Sequence, residues 1–89
     1  MAKHSKLFDH RGVRYEVACG FFDALISHLA EMLAEARGSA SPEELHIASL
    51  VEAQNKLRDA RAALDANDPA AIEAAVATYG PQARAAYLH

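Results

Sequence analysis

A chain of 89 residues is long enough for one hydrophobic core and excludes a second domain. Of its 46 apolar side chains 21 are alanine; with no Trp, three Pro and four Gly, this composition argues against a many-stranded sheet and for a thin helical core built from 25 larger apolar residues. The net charge of −3 divides into +3 over the first 14 residues and −6 over the other 75, and so small a basic cluster supports only weak, salt-sensitive phosphate binding.

Residues 1–12 read as a basic N-terminal arm ahead of a single helical domain over 13–89. The basic cluster comprises Lys3, Lys6, Arg11 and Arg14. It is expected to lie against the chain's own acidic helices or to extend into water, which ranks nucleic acid last among possible partners. The opening Met-Ala-Lys-His-Ser-Lys is not followed by an apolar signal region, and a cytoplasmic protein is the expectation.

The first helix is expected over 13–37. Tyr15, Ala18, Phe22, Ile26, Leu29 and Leu33 recur at intervals of three and four, and Val17, Phe21, Leu25 and Met32 widen the apolar stripe. The alternation Val13-Arg14-Tyr15-Glu16-Val17 also fits a short strand after a turn at Gly12. Only Lys6–Asp9 could pair with it, so a helix is preferred. Asp23, His28 and Glu31 interrupt the apolar run from Val17 to Leu33, which argues against a membrane span. Cys19 stands alone, excludes an internal disulfide or a CxxC pair, and reads as a small buried hydrophobe.

Gly38 is placed to end this helix in the left-handed conformation. Ser41, Pro42 and Glu44 form a capping box with proline at the first helical position. The second helix is therefore expected over 42–66. Leu50, Leu57 and Leu64 make its packing seam, with Ile47, Ala53 and Ala60 between them. Gln54, Asn55, Lys56, Arg58 and Arg61 read as a solvated outer face, where Glu52 and Lys56 form a favourably oriented i,i+4 pair.

Asp68 and Pro69 repeat the cap-and-proline signal and start a third helix over 69–79, with Ile72, Val76 and Tyr79 on one stripe. Gly80-Pro81 is expected to break it, leaving a C-terminal turn over 81–88. The fold class predicted is all-α: a long antiparallel helical hairpin plus a short third helix in a three-helix bundle.

Val13 to Leu33 holds 11 of the 25 larger apolar residues, more than an alanine-rich partner helix can cover. A two-fold homodimer through Phe21, Phe22, Leu25 and Leu29 is the expectation.

Chemistry-bearing patterns are few. Glu43-Glu-Leu-His46 and His28-Leu-Ala-Glu31 place a carboxylate and an imidazole three residues apart, as carboxylate-bridged metal sites do. Measured from the turn, however, His28 and His46 are offset by roughly 7–8 Å along the helix axes. No metal and no cofactor is predicted. Ser27 and His28 are adjacent and diverge by about 100° around a helix, so they cannot form a base-activated nucleophile. There is no phosphate-binding glycine loop and no nucleophile elbow. The expected function is non-enzymatic: a small regulatory, inhibitory or accessory protein that binds another protein through helix surfaces. The alternative is a metal- or small-ligand-binding bundle built across a dimer from His28, Glu31, Glu43 and His46, and the third reading is nucleic-acid binding through the basic arm.

Overall fold

The computed structural model describes the backbone of residues 10–87 and the side chains of residues 12–87. The described residues form three helices and no strand: α1 His10–Arg37, α2 Glu44–Ala63 and α3 Pro69–Tyr87. Val13–Val17 is helical, and α1 begins at His10, within the segment read as an arm. Lys3 and Lys6 lie outside the described residues.

α1 is the organising element, because it packs against both α2 and α3 while those two do not approach each other backbone to backbone. Along α1, Asp23 and Ile26 meet Arg61 and Gln54 of α2, and Arg14 and Ala24 meet Glu73 and Tyr87 of α3. The core centres on Ala18, Phe22, Ile72 and Ala75, with Tyr15, Leu57, Ala60, Leu64, Val76 and Tyr79 packed around it. Alanines at the contact let the helix axes come close, and Phe22 fills the space they leave, its ring 4.6 Å from that of Tyr79. Leu25, Leu33 and Leu50 are also buried.

The two caps predicted from the same chemistry turn out differently. Asp68 accepts the Ala71 backbone N–H at 3.1 Å, with Pro69 at the first helical position. Ser41 caps nothing. α2 starts two residues later than expected, behind Glu43 in extended conformation, with no side-chain cap bond. Gly38 is not left-handed either; its N–H continues the helical pattern to the Ala34 carbonyl at 3.0 Å. An exposed cap contributes about 1 kcal/mol, which is small against the burial of Leu50 and the partial burial of Ile47 in α2, so the six-residue connection 38–43 follows the packing. Asp68→Ala is therefore expected to cost about 1 kcal/mol and Ser41→Ala close to nothing, as read by thermal unfolding of the two variants.

The largest departure is α3, which continues through Gly80 and Pro81 to Tyr87, 19 residues in all. α2 is correspondingly shorter than expected and ends at Ala63 rather than at 66. A proline inside a helix forfeits one hydrogen bond and crowds the carbonyl four residues back. Here Pro81 is exposed, and the neighbouring Gly80 and Ala83 are buried. A Cβ on Gly80 would sit 3.1 Å from Cε2 of Phe21. Gly80 thus seats an aromatic ring of α1 against the backbone immediately before the proline.

Candidate interaction surface and groove

Two exposed ion pairs flank α1. The Arg14 guanidinium grips Glu73 of α3 with bonds of 2.8 and 2.7 Å, and Arg61 of α2 grips Asp23 with bonds of 2.7 and 3.3 Å. Each carboxylate pushes its guanidinium above the ordinary arginine value, chiefly through the hydrogen bond. A folded-state pKa raised in this way contributes stability in full below the unfolded value and loses it only as pH rises through the folded one, in strong alkali. Both pairs are solvent-exposed, so added salt weakens them. Arg14 is thereby a structural cation held by α3, not part of a free basic arm.

The face of α2 read as solvated is in part interior. Gln54 is 7% exposed, and its amide nitrogen donates to the Ile26 carbonyl of α1 at 3.1 Å. Arg61 is committed to Asp23. Lys56 and Glu52 do form the expected i,i+4 pair, at 3.3 Å and well exposed. Cys19 is buried. Tyr15 sits one turn earlier, its phenol pushed up first by a hydrogen bond with that thiol.

The four residues expected to face a second chain divide. Phe22 and Leu25 are 1% and 8% exposed within this chain, so neither is available to another copy. Phe21 and Leu29 are half-buried, Phe21 lying under Arg84 at 6.0 Å. Spacing alone could not separate them, because the direction from which α3 approaches selects the side of the stripe that is covered.

α3 ends level with the middle of α1. The Tyr87 hydroxyl donates to the Ala24 carbonyl at 3.0 Å, and its ring meets His28 edge-on at 5.7 Å. From that level α1 runs on through residues 29–37, about 14 Å further along its axis. Two concavities lie along this side. One is a groove of 370 Å³ lined by residues of all three helices, among them Leu25, Leu29 and Leu57. The other is a hollow of 280 Å³ lined by Met32, Glu35, Ala36 and His46. Beside the hollow, Leu45 is 87% exposed in the first turn of α2.

The stretch Gly12–Arg37 is also long and apolar enough to cross a membrane by length and composition, despite Asp23, His28 and Glu31, and only 28% of its apolar window is buried.

The candidate ligands His28, Glu31, Glu43 and His46 are not brought together. His28 faces Tyr87 at the groove, His46 borders the separate hollow, and both glutamates are exposed. Among the described residues no three His, Cys, Asp or Glu side chains are gathered closely enough to hold a metal ion. No family model matches the chain, and no curated protein or solved structure is significantly similar to it.

Proposed function

We propose that this chain is a small non-enzymatic helical interaction protein, an accessory or inhibitory factor. In this reading α1 and α2 form an antiparallel hairpin whose distal half, past the end of α3, docks a partner. The observation that carries it is the incompletely covered apolar stripe of α1, on which Phe21, Ile26, Leu29 and Met32 are only half-buried, together with Leu45 of α2 at 87% exposed. Exposed apolar surface concentrated at one place marks an interaction site more often than surface scattered singly. Met32 and Leu45 lie where the third helix has ended.

A second copy is the partner proposed first, joined about a two-fold axis by the same patch on each chain. The redrawn patch centres on Met32, Ala36 and Leu45 in place of Phe22 and Leu25. Light scattering is expected to give about twice the 9.6 kDa chain mass. The double variant Met32→Asp/Leu45→Asp is expected to return a monomer with its far-ultraviolet helix signal intact, since Leu45 is almost wholly exposed. A monomer mass that does not change with concentration in the unmodified protein sinks the self-association.

A further inference from the structure

We propose that the groove between α2 and α3 is a binding site for a small amphiphilic carboxylate, an apolar body of about ten carbons with one anionic head. The groove exists because α2 and α3 both pack on α1 without packing backbone to backbone on each other. A valley is left, floored by Leu25 and Leu29 of α1 and walled by Leu57 of α2 and Tyr79 of α3. Its 370 Å³ lies in the range of small-ligand sites. At a share of ~30 Å³ per water-sized unit, it takes about a dozen non-hydrogen atoms.

Charge selects the head group. The chain carries twelve Asp and Glu, yet none of them lines the groove. The polar lining consists of His28, Lys56, Tyr79 and Gln82, of which only Lys56 brings a permanent charge. A carboxylate at the rim meets an ammonium and two further groups able to donate, the His28 ring N–H and the Tyr79 hydroxyl. The Gln82 amide nitrogen gives one N–H to the Thr78 carbonyl at 3.0 Å and keeps a second for the rim. Lys56 now rests against Glu52 at 3.3 Å, with both side chains about three-quarters exposed. Such a pair is weakly held, so the flexible ammonium can turn to a new anion. The walls are fixed before any ligand arrives: Tyr79 is packed against Phe22 and His28 against Tyr87. A cationic amphiphile would meet Lys56, and a neutral one would gain the apolar floor alone.

The site is argued from a single chain and does not depend on self-association. The test is calorimetric titration of the full chain with decanoate, decan-1-ol and decyltrimethylammonium, each below its micellar range. Saturable binding of one decanoate per chain is expected, at least tenfold tighter than the alcohol, with the cation weakest. Lys56→Gln, an exposed substitution that leaves the core untouched, is expected to reduce the preference for decanoate over decanol to near unity. Absence of saturable decanoate binding overturns the site, and equal affinity for acid and alcohol overturns the role of Lys56. Binding that disappears in the Met32→Asp/Leu45→Asp variant would place the ligand in a contact between chains and overturn the single-chain assignment.

Discussion

Replacing Phe22 with alanine is expected to remove about 3–5 kcal/mol of folding stability. The side chain is 1% exposed at the centre of a buried cluster that joins α1 to α3, its ring tilted against that of Tyr79 while Leu57 and Ala60 of α2 pack on the same cluster. Its neighbours Ala18 and Ala75 are too small to collapse into the space, so a cavity adds to the lost transfer energy. A domain of this length has roughly 4–13 kcal/mol in total. Phe22→Ala should therefore shift the urea midpoint by a large fraction of its value or unfold the chain outright. Val13→Ala, at a site 50% exposed, should stay within about 0.5 kcal/mol. Urea unfolding followed by far-ultraviolet circular dichroism checks both, and a loss below about 1 kcal/mol at Phe22 would contradict this core.

Gln54→Glu is expected to be the most damaging near-isosteric change. The amide donates to the Ile26 carbonyl from a position 7% exposed. An ionised carboxylate has no proton to offer and turns its lone pairs toward that oxygen, at a cost of about 2–3 kcal/mol at neutral pH. Burial and the facing carbonyl both raise the carboxyl pKa in the folded variant. The folded state then holds a proton that the unfolded state has released, so stability is lost as pH rises through the interval between the unfolded and folded values. Below the unfolded value, about 4.3, both states are protonated and the acid can donate to Ile26 again. A denaturation series from pH 4 to pH 8 should show the deficit of Gln54→Glu relative to the parent growing with pH. Gln54→Leu should be nearly neutral throughout, because the Ile26 carbonyl keeps its helical bond.

These two residues mark how far the sequence could be read. Phe22 stands on a periodic apolar stripe, and its membership of a buried helix face follows from spacing alone. Gln54 sits in a run of amides and cations that reads as a wet surface. Nothing local shows that a carbonyl of a helix 28 residues earlier lies within reach. The groove was similarly hidden. His28 could be marked as a boundary residue, whereas Lys56 and Gln82 joined the same concavity only when two other helices settled on α1.

By itself the sequence determined the helical class, the number of helices, the Asp68–Pro69 start of α3 and the concentration of large apolar side chains on α1. Each of these rests on interactions within a few residues: propensity, periodicity, a side chain bonding to a backbone N–H three positions on. Tertiary structure alone decided where α2 begins, that α3 runs on through Gly80-Pro81, and which side of the α1 stripe is covered. In those places a local preference of about 1 to 3 kcal/mol opposed the burial of several side chains at once. Packing prevailed at Gly80, where the Phe21 ring lies close over the backbone, and at Leu50, which is buried, whatever the residues beside them favour.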